Sequence, residues 1–391
     1  MPARNVIPAG HFPLPVYRAR LKKLRAAIRA AGAEYLLVTN QVDVRYLSPF
    51  SGEASYALVG PSSFHILSDF RFQEELDAVR GLATVVIRKG DMVSALKTLL
   101  GDLKPRSVGI QADYASVAFR NTLAAIVGPK RLVDTSGLLL GLRVIKDDHE
   151  LAAIRRSVDI QQKSLLATLK TIRPGQAERE IAARLEYEMK CRGSDVPAFE
   201  SIVAAGANSS LPHARPGGAK VQRNGMVLID WGAKAGGYCS DMTRAFALGK
   251  WPAKLAEIYK VVLEAHNAGM AAVRPGISGE AVDKAARDVI EKAGYGKEFG
   301  HGTGHGIGLD IHEEPRAARG TAGPAVARAR GGGTLKAGKN ILRPGMVLTV
   351  EPGIYLPGIG GIRIEDDILV TKRGGQGLCT LPKDLRWATL S

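Results

Sequence analysis

The tetrapeptide Gly-Met-Val-Leu stands twice in this chain, at Gly225–Leu228 and again at Gly345–Leu348. The approaches to the two copies also match. A helical stretch, Arg173-Pro174-Gly175 and a second helical stretch precede the first copy; the same order with Arg274-Pro275-Gly276 precedes the second. After each copy an acid interrupts the apolar run, Asp230 in VLIDWG and Glu351 in TVEPGIY. A glycine-rich turn then returns the chain to another acid, Asp241 in YCSDMTRAF and Glu365 in GIRIEDD. Each match is short, but their common order and similar offsets argue for duplication. The fold must then contain two related halves. The turns Gly232–Gly237 and Pro357–Gly361 fit hairpin connections, so the strands they join should be antiparallel.

An isolated charge within a strand-forming run is expensive to bury. Two hairpins that present Asp230, Asp241, Glu351 and Glu365 to one centre make those charges tolerable if cations sit between them. His305, in GHGTGHGIGLDIHEEP, adds one imidazole. Read as a set, the five residues can hold two divalent ions, because four carboxylates balance two dications. Oxygen-rich coordination suits Mn2+, and the imidazole also admits Co2+, Zn2+ or Fe2+. Two ions about 3.5–4 Å apart share a water and bring its pKa near neutrality, which is the chemistry of metal-assisted hydrolysis. A single bound ion is the low-occupancy form of the same site. His301, His305 and His312 lie within twelve residues, and His213 sits in SLPHARP. The glycines around the first three let backbone approach a ligand closely, and the stretch has no G-x-G-x-x-G of the dinucleotide type.

A chain of 391 residues is long for one core. The expected division is an α/β domain over 1–146 and an α+β catalytic domain over 147–391. In the first, Tyr17, Leu21, Leu24 and Ile28 share one helical face, and Gly32 is a plausible stop. Tyr35–Thr39, Ala57–Gly60, His65–Ser68 and Val108–Gln111 read as strands, and Asp91 as the cap of a helix through Val93, Leu96 and Leu99. No catalytic cluster stands out there. A long amphipathic helix beginning near Asp147 opens the second domain.

The net charge of +16 raises nucleic acid as a partner. The Lys and Arg residues are spread along the chain without a basic helix, which argues against it and for a basic surface. Three scattered cysteines, Cys191, Cys239 and Cys379, fit a reducing cytoplasm. The N-terminus lacks an apolar segment of signal-peptide type, and no stretch is suited to span a bilayer.

The chain resembles the pita-bread metallopeptidases: aminopeptidase P, prolidase, creatinase and methionine aminopeptidase. The likeness covers essentially the whole chain, most closely Ser201–Asp367, and the first 146 residues look like a creatinase/prolidase N-terminal domain. The family's five ligands match Asp230, Asp241, His305, Glu351 and Glu365 without substitution. That sets the chain apart from creatinase, which uses no metal, and from binding relatives that have lost ligands. The resemblance implies an α/β creatinase-like domain followed by an α+β pita-bread domain with an internal pseudo-two-fold repeat. It further implies that His213 contacts substrate near the scissile bond and that His312 hydrogen-bonds the scissile carbonyl or the tetrahedral intermediate. His301 would line the pocket, and Glu351 would serve as both ligand and proton shuttle. Arg363 stands where the proline-directed branch has arginine and methionine aminopeptidases typically have glutamine, which marks it as a substrate-binding residue.

The expected activity is therefore release of the N-terminal residue from Xaa-Pro peptides or dipeptides through a metal-bridging hydroxide, by a cytoplasmic homodimer. Aminopeptidase and dipeptidase are not separated at this level. The alternatives are a pita-bread hydrolase of non-proline amides and an inactive relative that binds peptide or nucleic acid. One departure from the family pattern is the long connection between Pro315 and Leu342. It carries Arg316, Arg319, Arg328, Arg330, Lys336 and Lys339 and no acid. It reads as a tolerated surface insertion or as a rim that steers acidic peptides inward.

Overall fold

A computed structural model describes residues 12–320 and 340–390, in two compact units, 12–143 and 144 onward. Arg328, Arg330, Lys336 and Lys339 lie outside the described residues.

The first unit opens with helix α1 (Leu14–Ala30), whose Tyr17, Leu21, Leu24 and Ile28 are buried on one face. There follow β1 (Tyr35–Val38), α2 (Gln41–Leu47), β2 (Tyr56–Val59), β3 (Phe64–Ser68) and β4 (Thr84–Ile87). Then come α3 (Met92–Leu103), β5 (Val108–Gln111), α4 (Val117–Val127), β6 (Leu132–Thr135) and α5 (Leu138–Arg143). Asp91 caps α3 by accepting from the Ser94 amide. The six strands form one mixed sheet in the order β4-β3-β2-β1-β5-β6. β2 ends at Val59, one residue short of the expected span, because the Gly60 amide bonds the Ser63 carbonyl and closes the turn into β3. Leu37, Leu58, Leu67, Leu96, Val108 and Ile110 build the core beneath α3 and α4.

The second unit begins with α6 (Asp148–Leu169), held by a reciprocal cap in which Asp147 and Glu150 satisfy each other's amides. α7 (Glu178–Cys191) follows, then β7 (Val196–Pro197), β8 (Ile202–Ala205) and β9 (Met226–Trp231). Next are β10 (Ala233–Ala235), β11 (Tyr238–Cys239), β12 (Met242–Leu248), α8 (Ala253–Ala272) and α9 (Gly279–Lys292). The chain continues through β13 (Gly304–Gly306), β14 (Glu313–Ala317), β15 (Val347–Val350), β16 (Gly353–Leu356), β17 (Gly360–Arg363), β18 (Asp366–Thr371), β19 (Gly374–Gly377) and β20 (Thr389–Leu390).

The duplication is visible in three dimensions. One sheet runs β20-β12-β9-β8 and another β14-β13-β15-β18-β19. The triples β8-β9-β12 and β13-β15-β18 are thus antiparallel in the same order. Gly175 and Gly276 hold φ of +87° and +88°, so each Arg-Pro-Gly supplies the left-handed residue that turns one helix of a pair towards the next. The first hairpin is more elaborate than the sequence suggests. Gly232–Gly237 is not one turn: β10 lies within it and pairs with β11 just beyond, leaving Gly236 and Gly237 as the tight reversal. The second hairpin nests β16 and β17 in the same way between β15 and β18. Among the described residues no helix is long and apolar enough to cross a membrane.

Candidate metal centre

The two nested hairpins interrupt their ladders at matching places. Asp230 lies within β9 opposite Thr243, Asp241 in the break before β12, Glu351 one residue past β15, and Glu365 in the break before β18. Glu351 lies just past the end of its strand, where its amide bonds the Thr303 carbonyl at 2.7 Å in the register of the β13–β15 pair. The Asp241 amide donates to Asp367 Oδ2 at 3.0 Å, which turns the Asp241 side chain inward. Glycine brings in the fifth residue. A Cβ on Gly304 would collide with the Thr349 carbonyl, so only glycine lets β13 lie this close to β15. Beside it the His305 amide bonds Thr349 Oγ1 at 3.1 Å.

One donor atom each from Asp241, His305 and Glu365 fall within 4.8 Å of one another. His305 Nε2 is 3.6 Å from Asp241 Oδ2 and 3.6 Å from Glu351 Oε1. All four acids and the imidazole line one cleft of about 500 Å³, which His213, His301, His312 and Arg363 also face. The His312 ring meets the His305 ring edge-on at 4.4 Å. Asp230 Oδ1 and Asp241 Oδ1 are buried without a hydrogen-bond partner.

The charge state follows from crowding. Burial pushes the Asp241 and Glu365 carboxyls well above the carboxylate range, and neighbouring carboxylates, Asp230 among them, push them further. Burial raises Glu351 to about 7, opposed by the Arg363 charge. Burial lowers His305 to about 3, with His312 adding to the effect, so the imidazole is neutral. Its Nδ1 lies 3.1 Å from the Gly306 carbonyl, which accepts the ring proton and leaves the Nε2 lone pair facing the carboxylates.

Arg363 lines the cleft, yet the protein engages each of its three nitrogens. Nη2 donates to Asp230 Oδ2 at 2.6 Å, Nη1 to the Tyr355 hydroxyl at 2.7 Å, and Nε to Thr243 Oγ1 at 3.0 Å. Tyr355 in turn reaches His301 Nε2 at 2.9 Å, while His301 Nδ1 faces the Gly302 carbonyl at 2.8 Å. The His301 ring is thus an acceptor for the tyrosine proton, and burial lowers it to about 4. Thr243 donates to Glu365 Oε2 at 2.6 Å. Asp283 and Arg287 of α9 pair with each other and hold the next loop: Arg287 donates to the Phe299 and His301 carbonyls, and Asp283 accepts from the Thr303 amide. Of the three consecutive acids in GIRIEDD only Glu365 faces the centre; Asp366 pairs with buried Arg244 at 2.6 Å and Asp367 takes the Asp241 amide.

Thr243, Tyr355, Asp283 and Arg287 were not singled out from sequence. Thr243 and Tyr355 stand inside the quoted motifs, and the strand pairing that sets Thr243 against Asp230 was the available signal. Asp283 and Arg287 sit one helical turn apart on α9, which by itself marks only a helix-surface pair.

Residues 152–372 match metallopeptidase family M24, and residues 20–145 match the creatinase/prolidase N-terminal domain. The chain is 32% identical over 374 residues to an Xaa-Pro dipeptidase of Pyrococcus horikoshii, covering 95% of this chain and all of that one. Among solved structures it is similar to an Xaa-Pro dipeptidase from Bacillus anthracis, with a TM-score of 0.86 at 35% identity, covering 94% of this chain and 99% of that one. It is also similar to an X-Pro aminopeptidase from Thermotoga maritima, with a TM-score of 0.81 at 31% identity, covering 92% and 99% of the two chains. The match to M24 spans more than half of the sequence and both solved structures are covered almost entirely, so this chain belongs to metallopeptidase family M24.

Proposed function

We propose that Asp230, Asp241, His305, Glu351 and Glu365 hold two divalent ions, Mn2+ in the first place, and that the protein hydrolyses the bond between an N-terminal residue and a following proline. The observation that carries this is the orientation of His305. With Nδ1–H bonded to Gly306, its Nε2 lone pair points at oxygens of Asp241 and Glu351, which are themselves acceptors. Acceptors facing one another need protons or cations between them. Four carboxylates against the single guanidinium of Arg363 leave three negative charges at one place, and the raised Asp241, Glu351 and Glu365 carboxyls record the strain. Oxygen donors with one imidazole fit hard or borderline divalent ions, Mn2+ best and Co2+, Zn2+ or Fe2+ next.

Ions bound there would polarise a carbonyl and lower the pKa of a water. The protein's own groups supply the rest. Glu351, which faces the cleft beside His305, can take a proton and give it to the departing proline nitrogen. His312, at the exposed edge of the cleft, has its pKa lowered by partial desolvation and by the Arg316 charge, and offers a ring N–H to the developing oxyanion. His213, exposed on the same cleft, orients the peptide, while His301 and Arg363 shape the pocket beside it. The proline preference draws support from relatives named Xaa-Pro dipeptidase and X-Pro aminopeptidase. On this reading 1–146 is a creatinase-like domain, 147–391 the catalytic one, and the working form a cytoplasmic homodimer.

The test is hydrolysis of Gly-Pro, Ala-Pro, Arg-Pro-Pro, Ala-Pro-Ala, Ala-Ala-Ala and Met-Ala-Ser by metal-supplemented protein, read by mass. Release of the first residue from proline peptides alone is the expected result, and Arg-Pro-Pro separates aminopeptidase from dipeptidase. Equal rates on Ala-Pro-Ala and Ala-Ala-Ala would overturn the proline preference and favour a broader amide hydrolase.

A further inference from the structure

The loop 307–312 carries His312 from β13 back to β14, and its conformation depends on a carboxylate one residue beyond it. Glu313 is buried, with its side chain 1% exposed. Its Oε1 accepts from the Asp310 amide at 3.0 Å, and the Asp310 carbonyl accepts from the Gly308 amide at 3.0 Å. The carboxylate thus folds the loop over itself. A Cβ on Gly308 would come within 2.7 Å of Glu313 Oε2, so glycine makes room for it. The other side of the loop is pinned by the Cys239 amide, which donates to the Gly308 carbonyl at 2.7 Å.

Glu313 Oε2 faces Lys146 Nζ at 3.3 Å, and the lysine side chain is also 1% exposed. Lys146 comes from the segment just ahead of α6, more than a hundred residues away in sequence, and its own amide is fixed to the Gly345 carbonyl at 2.8 Å. A lysine is almost never buried this deeply unless it is paired. An ammonium on one oxygen fixes the rotation of the carboxylate, and the other oxygen is then directed at the Asp310 amide. We infer that Lys146 is a positioning residue for His312. It acts through Glu313 to set the course of loop 307–312, and so the place from which His312 meets the substrate. The inference rests on the proposed role of His312.

The experiment uses the full-length, metal-loaded protein carrying Lys146→Met. A misplacement of about 1 Å can cost about 10²-fold in rate, so kcat on the best proline peptide should fall about tenfold or more. KM should stay within about twofold, the pattern of an interaction made in the transition state, and metal content should be unchanged. Hydrogen exchange at the amides of 307–312 should quicken. In a His312→Ala background the same substitution should bring no further loss of kcat. A purely structural ion pair would lower Tm, leave kcat near wild type, or multiply its effect onto His312→Ala; either kinetic result overturns the inference. If Lys146→Met does not fold because Glu313 is left charged, Lys146→Met with Glu313→Gln removes both charges and must show the same kinetic pattern. If wild type cleaves no peptide, the functional reading fails by itself. The exchange rates then decide the positioning claim, and unchanged protection at 307–312 would sink it.

Discussion

Metal uptake by this centre should release protons from carboxylates, not from its histidine. The perturbation is titration of chelator-treated protein with Mn2+ at pH 6. At that pH a carboxyl at about 7, as for Glu351, holds about 0.9 of a proton. Asp241 and Glu365 are also pushed well above the carboxylate range and add to this. His305, at about 3, holds almost none and contributes nothing. Binding of ions should therefore expel at least about one proton, and the apparent affinity should rise about tenfold per pH unit for each proton released. The signs are separable in stability as well. A carboxyl raised in the folded state, from 4.5 to about 7 for Glu351, makes the metal-free protein less stable as pH rises through that window. His301 and His266, both lowered to about 4, act oppositely, because the unfolded chain takes their protons between about 4 and 6.5. Those histidines are common to both forms, so the Mn2+-induced rise in Tm isolates the carboxylates and should grow from pH 5.5 to 8. Calorimetry in buffers of different ionisation enthalpy counts the protons. No proton released at pH 6, or a Tm shift that shrinks with pH, would refute the reasoning.

His213→Ala and His312→Ala should each leave metal content near wild type, with a normal circular dichroism spectrum, and lower kcat/KM by about 10²-fold or more; loss of metal in His312→Ala would show that its role is different. Arg363→Met leaves buried Asp230 without its cation. Breaking a buried pair costs about 3–5 kcal/mol, so Tm should fall sharply in metal-free protein and less in metal-loaded protein, where ions face the same carboxylate. An equal fall in both forms would place Asp230 outside the metal site.

What could be read from the sequence were features that leave a local mark. A charge within an apolar run pointed to Asp230, Asp241, Glu351 and Glu365, and the structure brings them with His305 around one cleft. The repeated Arg-Pro-Gly marks the same left-handed turn in both halves, Asp91 sits at the cap it was expected to fill, and the long helix begins beside Asp147 as expected. The nested pair β10 and β11 escaped because strands of three and two residues are too short to show a period. The supports of the site escaped for another reason. Thr243 reaches Glu365, Tyr355 joins Arg363 to His301, and Lys146 reaches Glu313, each across a packing arrangement that only the assembled hairpins create. Arg363 shows the same limit: the resemblance marks it for substrate and it lines the cleft, but its bonds to Asp230, Tyr355 and Thr243 are visible only in the assembled structure.

The most direct test is elemental analysis of wild type, Asp241→Ala and Glu365→Ala alongside turnover on Ala-Pro. The centre described here predicts two divalent ions per wild-type chain at saturation, with activity rising as they load. Either substitution should lower bound metal and remove most turnover while circular dichroism stays native. Unchanged metal and retained activity in both variants, or full turnover in chelated wild type, would contradict it.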